Sequence, residues 1–239
     1  MAKDEVAVVA GAGPGLGAAL VRRFAHEGMR VAALARKREK IETLATETAR
    51  ASGGTVEAHP VDVTDEAAVG AVFDEIRANW AEPDLVVYNA GAYLPQGILE
   101  TTSKEFEQCW RIGCLGGLHV AQQAARGMVE RGNGTILFTG ATASLRGSAR
   151  FFNLAVGKFG LRALAQCMAR ELGPKGVHIG HIVIDGEILL KPDDPRAKER
   201  APNALLDPDE IAETYLQLHR QRPSAWALEV DLRPWVEKF

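Results

Sequence analysis

The chain has 239 residues, of which 46% are hydrophobic and 25% charged, and its formal net charge is −3. These values predict one well-buried domain spanning residues 1–239 and argue against a general nucleic-acid or membrane surface. No apolar stretch reaches the roughly 18 residues that a membrane span needs. Cys109, Cys114 and Cys167 lack metal-ligand spacing and are typical of reduced thiols. We therefore expect a cytoplasmic protein without a metal site.

Short β-type runs alternate with longer helical segments along the chain. Strands are predicted at 6–10, 30–35, 55–60, 84–88, 135–139, 177–183 and 227–232. Helices are predicted near 16–27, 37–52, 65–80, 103–131, 150–173 and 207–221. Repeated βα units with continuous apolar strands indicate an α/β fold, with a parallel, doubly wound sheet covered by helices on both faces. Ligands of such sheets bind beyond the C-terminal ends of the strands.

A glycine-rich turn, GAGPGLG, follows the first predicted strand. The dinucleotide fingerprint G-x-G-x-x-G/A fits at Gly13, Gly15 and Ala18, and a second spacing fits at Gly11, Gly15 and Gly17. A helix that starts directly after such a turn attracts phosphate through its dipole and its unpaired N–H groups. No Gly-Lys-Ser/Thr sequence closes the loop, which argues against a P-loop. The turn predicts a dinucleotide site, and a purely structural turn is the alternative.

Three cations, Arg36, Lys37 and Arg38, follow the second predicted strand. In dinucleotide-binding folds the adenosine ribose lies about 20 residues beyond the glycines. An acidic side chain there would bind the ribose 2′-hydroxyl, whereas guanidinium and ammonium groups suit a 2′-phosphate. The cations therefore favour NADP over NAD. The alternative is a solvated basic start of a helix.

Polar and small residues end the third and fourth predicted strands. Asp62 is placed to accept a hydrogen bond from an adenine amino group, while Asp65 is better explained as a helix cap. After the fourth strand, Ala90 and Gly91 let a flat cofactor lie close to the backbone. Asn89 can brace the neighbouring turns by hydrogen bonds.

Taken together, GAGPGLG, VDVTD and YNAGA resemble the short-chain dehydrogenase/reductase family, and the likeness continues through GTILFTGATASLRG, KFGLRALAQCMARELGPKGVHIGHI and IDGEI. The resemblance implies a Rossmann-like three-layer sandwich with a seven-stranded sheet, a bound NAD or NADP, and a homodimer or homotetramer. It also assigns cofactor contacts, which we place at Gly11, Gly13, Gly15, Leu16, Gly17, Asp62, Val63, Asn89, Ala90 and Gly91. Lys158 matches the active-site lysine of the family, and Gly186 and Ile188 match the segment beside the nicotinamide.

The chain differs from the family at the positions whose side chains take part in the family's reaction. Four residues before Lys158 the family has a tyrosine that exchanges a proton with the substrate, and here that position is Leu154. The serine that holds the substrate oxygen aligns with Ala141, and the family's asparagine aligns with Gly113. Lys158 can still hydrogen-bond the nicotinamide ribose, a binding role that needs no proton transfer.

Three nearby side chains are candidates for replacing the lost proton donor. Thr142 adjoins Ala141 and can hold a carbonyl oxygen, and Tyr93 follows the YNAGA segment on the strand-end side. Asp185 can act as an acid if burial raises its pKa. Each also has a simpler structural interpretation, as a turn residue, a loop aromatic and a loop carboxylate.

Two C-terminal segments complete the prediction. Residues 185–207, rich in proline and charge, are expected to form either a substrate-side lid or a loose surface loop. The tail RPWVEKF is apolar and aromatic, which predicts docking on its own sheet or on a neighbouring subunit. The helix near 154–172 suits a dimer contact as well as the core.

Two functions remain open from the sequence. The first is an NADP-dependent oxidoreductase acting on a carbonyl or alcohol through a non-standard proton path. The second is an NADP-binding sensor or scaffold that no longer transfers hydride. A positioned acid or base contributes about 10²–10⁴-fold to rate, so its loss slows the reaction without abolishing it. A third function, a lyase or isomerase with Asp185 as base, is disfavoured by the intact cofactor motifs.

Overall fold

The computed structural model describes residues 5–191 and 193–238. Pro192 of the predicted lid and Phe239 of the predicted tail lie outside the described residues. The strands are β1 (Val6–Ala10), β2 (Arg30–Ala35), β3 (Val56–Pro60), β4 (Leu85–Tyr88), β5 (Gly134–Thr139), β6 (Val177–Ile184) and β7 (Glu229–Leu232). They form one sheet in the order β3-β2-β1-β4-β5-β6-β7, and every neighbouring pair is parallel. The predicted doubly wound sheet is confirmed.

Helices cover both faces of this sheet. They are α1 (Leu16–His26), α2 (Arg38–Ser52), α3 (Glu66–Asn79), α4 (Ser103–Trp110), α5 (Gly116–Arg131), α6 (Phe152–Leu172), α7 (Pro195–Lys198) and α8 (Pro208–His219). One apolar core lies between the sheet and α1, α2 and α8, and the other lies between the sheet and α3, α5 and α6. All five residues of β1 are buried, because alternate side chains enter the two cores.

The predicted helix over 103–131 is wrong in one respect, because it is not a regular α-helix throughout. A π-helical turn, Arg111–Leu115, separates α4 from α5. The Tyr88 hydroxyl donates a hydrogen bond to the main-chain carbonyl of Ile112, so a side chain enters the helical ladder at this point. A Cβ at Gly113 would stand 3.1 Å from the Cα of Gly157 in α6, so the π-helical turn and α6 are in contact backbone to backbone. Turns of this kind are frequent at functional sites.

The segment 185–207 is tied down by its own polar contacts. A β-bridge joins Ile188 to Leu206. Arg196 pairs with Asp194 at 2.6 Å and with Glu187 at 3.0 Å. These contacts disfavour a loose surface loop, and the role of the segment as a lid stays a prediction.

The C-terminal tail packs on this segment of its own chain. The Trp235 indole Nε1–H donates to the carbonyl of Pro202 at 3.0 Å, although the Trp235 side chain remains 73% exposed. Pro234 lies against Gly186, where an added Cβ would stand 2.8 Å from its ring. Among the helices of the described residues, none combines the length and the hydropathy needed to cross a bilayer.

Candidate active site

The glycine turn after β1 contains two glycines that its own packing requires. Gly11 has φ of +101°, and a Cβ there would stand 2.5 Å from the backbone nitrogen of Ala90. A Cβ at Gly17 would overlap the carbonyl oxygen of Gly11. A larger residue at either position would therefore push apart the ends of β1 and β4, or the turn and α1.

The other two glycines of the turn differ, because Gly13 faces open space whereas Gly15 is buried and has φ of +80°. A Cβ at Gly13 meets no described atom within 4 Å, and one at Gly15 would lie 3.4 Å from the flexible end of Leu190. α1 begins directly after this turn, at Leu16, with no acidic residue in its first turn to neutralise its dipole. The positive end of α1 therefore adjoins the open side of the turn at Gly13, and its role in holding a diphosphate stays a prediction.

Asn89 braces the turn from the next strand. Its Nδ2 donates to the carbonyl of Gly11 at 3.0 Å, and its backbone N–H donates to the carbonyl of Ala10 at 2.8 Å. Both bonds fix the separation of the β1 and β4 ends, where the strand order reverses. Ligands of open α/β sheets bind at this kind of reversal.

A cavity of about 490 Å³ opens beside this reversal. It contains most of the predicted cofactor contacts, namely Gly11, Gly13, Arg36, Lys37, Asp62, Val63, Asn89, Ala90 and Gly91. The predicted contacts Gly15, Leu16, Gly17, Lys158, Gly186 and Ile188 are not part of its lining. Residues that the sequence analysis missed also line it, namely Ala12, Pro14, Leu34, Ala35, Lys40, Ile41, Val61 and Ile112.

Three cations stand at the end of the cavity beside β2. Arg36, Lys37 and Lys40 all line it and are all exposed. Arg38 instead pairs with Glu42 at 2.9 Å along α2. Lys40 lies in the first turn of α2, three residues after the N-cap Lys37, and this helix start is the signal that could have found it.

The two aspartates after β3 have separate roles. Asp62 lines the cavity, and its Oδ1 accepts hydrogen bonds from the Thr64 backbone N–H and hydroxyl, both at 2.9 Å. Asp65 caps α3 by accepting from the backbone N–H of Ala68 at 3.0 Å. One Asp62 oxygen is therefore occupied by the turn, and the role of Asp62 at an adenine amino group stays a prediction.

Lys158 reaches from α6 toward the sheet and the cavity. Its Nζ donates to the carbonyl of Thr139 at 2.6 Å, and it lies 3.7 Å from the position of a Cβ on Gly91. The residue is 5% exposed. Burial lowers the pKa of Lys158 to about 8.

A second cavity, of about 280 Å³, lies beyond the C-terminal ends of β5 and β6. Its lining residues are Ala141, Thr142, Ala143, Arg146, Ser148, Phe151, Leu154, Ile184 and Gly186. We call this space the substrate cavity. The structure thus brings together Ala141, Thr142 and Leu154, while Gly113 lies apart from them against Gly157.

A chain of polar contacts runs from the substrate cavity to the C-terminal tail. The Thr142 hydroxyl donates to Oδ1 of Asp185, and the other carboxylate oxygen of Asp185 lies 3.3 Å from the Arg233 guanidinium. Asp185 is only 6% exposed. Asp185 is therefore held between the Thr142 hydroxyl and the Arg233 guanidinium.

Tyr93 and Ile188 lie outside both cavities. The Tyr93 side chain is 56% exposed, and its ring centroid is 5.2 Å from that of Phe151 at the rim of the substrate cavity. The carbonyl of Ile188 accepts a hydrogen bond from Arg196 at 2.9 Å within the predicted lid. Their predicted roles at the nicotinamide end stay predictions.

A family model described as short chain dehydrogenase matches residues 5–186. The chain belongs to this family. A short-chain dehydrogenase from Rhodopseudomonas palustris is similar in structure, with 38% identity, a TM-score of 0.84 and coverage of 98% of this chain and 100% of that one. A metagenomic short-chain oxidoreductase solved with NADP gives 26% identity, a TM-score of 0.85 and coverage of 98% and 99%. An uncharacterized oxidoreductase of Staphylococcus aureus strain N315 is 26% identical over 234 residues, 97% of each chain.

The protein is thus a short-chain dehydrogenase-type oxidoreductase. Leu154 lines its substrate cavity at the position where the resemblance places a tyrosine, one helical turn before Lys158. Ala141 lines the same cavity at the serine position. Neither side chain can donate or accept a proton, so any proton transfer in this short-chain dehydrogenase must use other groups.

Proposed function

We propose that the protein is an NADP-dependent oxidoreductase that interconverts a carbonyl compound and its alcohol. Reduction delivers a hydride to the carbonyl carbon and a proton to its oxygen. NADPH would supply the hydride when bound and would leave as NADP. The observation that carries the proposal is a cavity that joins the glycine turn to three cations beside β2.

The preference for NADP rests on Arg36, Lys37 and Lys40. All three line the cavity at the C-terminal end of β2, where a dinucleotide fold holds the adenosine ribose. A 2′-phosphate there would gain charge-assisted hydrogen bonds, with a bidentate arrangement available to Arg36. NADH offers these cations only a neutral hydroxyl group.

Lys158 would hold the nicotinamide ribose. Its Nζ already lies beside Gly91, at the border of the dinucleotide cavity, and its bond to Thr139 fixes the direction of the side chain. This role requires hydrogen-bond donation only, so it survives the replacement of the tyrosine by Leu154.

The proton path would run through Thr142 and Asp185. In alcohol oxidation, the Thr142 oxygen accepts the proton of the substrate hydroxyl while its own proton passes to the Asp185 carboxylate. In carbonyl reduction, Asp185 first takes a proton from water, and Thr142 then donates its proton to the carbonyl oxygen and regains one from Asp185. The existing hydrogen bond from Thr142 to Asp185 has the direction that oxidation requires.

The first experiment measures nucleotide affinity by fluorescence titration with NADPH and NADH. Arg36→Asp should weaken NADPH binding about 10-fold or more and change NADH binding much less, because only NADPH carries the 2′-phosphate. Arg38→Asp is the matched control, since Arg38 pairs with Glu42 and does not line the cavity. Equal loss for both nucleotides would refute the assignment.

The second experiment measures turnover on a panel of carbonyl compounds and alcohols through the absorbance of the reduced nicotinamide. Thr142→Val and Asp185→Asn should each lower kcat and leave the Kd for NADPH unchanged. Tyr93→Phe serves as the control because Tyr93 lies outside the substrate cavity. Unchanged kcat in both variants would contradict the proton path.

A second function, an NADP-binding sensor or scaffold, is favoured by one observation. Two positions that the family uses for chemistry, Ala141 and Leu154, are both apolar and both line the substrate cavity. Tight NADPH binding without turnover of any compound in the panel would support the sensor.

The partner that we propose is a second copy of the chain. Val156 and Phe159 leave an apolar face on α6 that is 42% and 43% exposed at these two residues. A homodimer or homotetramer would cover this face. Sedimentation should show association that Phe159→Glu weakens, and a monomer at micromolar concentration would contradict the proposal.

A further inference from the structure

The substrate cavity has mostly apolar walls. Ala141, Ala143, Phe151, Leu154 and Ile184 contribute side chains that cannot form hydrogen bonds. The hydroxyl groups of the lining belong to Thr142 and Ser148, and the Thr142 hydroxyl is committed to Asp185. The volume of about 280 Å³ restricts the cavity to a small compound.

The charged residue in the lining is Arg146. Its guanidinium makes no ion pair or hydrogen bond with any side chain or carbonyl among residues 5–191 and 193–238. No acidic residue occurs between Gly140 and Leu154 to balance it. The buried Asp185 beside the cavity is already paired with Arg233.

Arg150, in the same loop, has protein partners that Arg146 lacks. It pairs with Glu100 at 3.6 Å and donates to the carbonyl of Pro95 at 3.2 Å. It is not part of the lining of the substrate cavity. One arginine of the loop is therefore used by the fold, and the other, exposed at the mouth of the cavity, is left without a protein partner among the described residues.

We infer that the substrate carries a carboxylate, which Arg146 binds while the apolar walls hold the rest of the compound. Arg146 is exposed at the mouth of the cavity, and a guanidinium matches a carboxylate with two parallel hydrogen bonds. The inference rests on the proposed oxidoreductase function, because it specifies the substrate class of that same cavity. Arg146 acts here as a specificity-determining residue.

The test compares keto acids with their methyl esters, which have the same carbonyl group and lack the charge. 4-Acetylbenzoate and 5-oxohexanoate are each assayed beside the corresponding ester with NADPH. The acid should exceed its ester in kcat/KM by about 10- to 100-fold. Arg146→Met should abolish this preference, Arg146→Lys should retain part of it, and Arg150→Met should leave it intact. Equal kcat/KM for acid and ester in the unaltered protein, or an unchanged preference in Arg146→Met, would overturn the inference.

A binding measurement separates this inference from the proposed function. Benzoate and benzamide, which cannot react, are titrated into the protein saturated with NADPH, and the nucleotide fluorescence is followed. Benzoate should bind about 10-fold more tightly than benzamide, and the difference should vanish in Arg146→Met while the Kd for NADPH is unchanged. Benzoate preference without turnover of any carbonyl compound would support the inference and contradict the oxidoreductase. Benzoate and benzamide binding alike would overturn the inference and leave the oxidoreductase to the turnover panel.

Discussion

Replacing Leu154 by tyrosine should convert the substrate cavity into a faster catalyst. Leu154 is half-buried, lines that cavity, and precedes Lys158 by one helical turn. A tyrosine here would place its hydroxyl in the cavity, on the side of α6 that holds Lys158. A positively charged neighbour lowers the pKa of a phenol from its usual value near 10.

The size of the gain follows from the groups around position 154. A positioned acid or base contributes about 10²–10⁴-fold, equivalent to roughly 3–5 kcal/mol of activation free energy at 1.36 kcal/mol per factor of ten. We expect Leu154→Tyr to lie near the lower limit, because Ala141 supplies no hydroxyl to hold the substrate oxygen. The double variant with Ala141→Ser should lie above it.

The assay is single-turnover oxidation of bound NADPH in the presence of saturating carbonyl compound. Leu154→Phe is the matched control, since it introduces the same ring without the hydroxyl. The Kd for NADPH should be unchanged in both variants. If Leu154→Phe accelerates the reaction as much as Leu154→Tyr, or if neither does so, the assignment of position 154 is refuted.

Three further predictions concern stability, each measured by urea denaturation. Gly11→Ala should lower the free energy of unfolding by about 2–4 kcal/mol, from the strain of positive φ and overlap with backbone. Gly13→Ala should change it by less than about 0.5 kcal/mol yet weaken NADPH binding, and equal losses in the two variants would contradict this division. Burial lowers the pKa of Lys158 from 10.5 to about 8. Between these pH values the unfolded state binds more protons than the folded state. The free energy of unfolding should therefore rise with pH in this range, by at most about 3 kcal/mol. Lys158→Met should remove that rise. Tyr88→Phe should cost about 1–3 kcal/mol because the buried carbonyl of Ile112 loses its donor, and no loss would show that another group can replace it.

The fold could be predicted from the sequence because each βα unit has its own local sequence signals. The apolar strands, the glycine turn and the capping residue Asp65 are short-range signals, and the predicted strand ends differ from the observed ones by at most two residues. The π-helical turn was not accessible, since it depends on the Tyr88 hydroxyl reaching Ile112 from another element. No local pattern records that contact.

In the candidate site, too, local motifs could be predicted and contacts between distant elements could not. Most of the predicted cofactor contacts come from contiguous motifs and line one cavity, whereas Lys40 was missed because its place in the lining depends on which face α2 presents. The pairing of Asp185 with Arg233 follows from the register of β6 and β7. Ile184 lies opposite Leu232, so the residues that follow them meet just beyond the sheet. Register between distant strands cannot be read from either strand alone.

Because Gly113 contacts Gly157, the replaced active-site positions differ in how easily the family's residue could be restored at each. Tyrosine at 154 and serine at 141 enter open space, whereas any side chain at 113 begins 3.1 Å from the backbone of α6. Asparagine at 113 would need the backbone at Gly157, next to Lys158 in α6, to give by a few tenths of an ångström. Restoring the family's full set would therefore disturb the backbone beside Lys158 only at the step that adds the asparagine. Packing thus determines the order in which the family's residues could be restored, with positions 141 and 154 first and position 113 last.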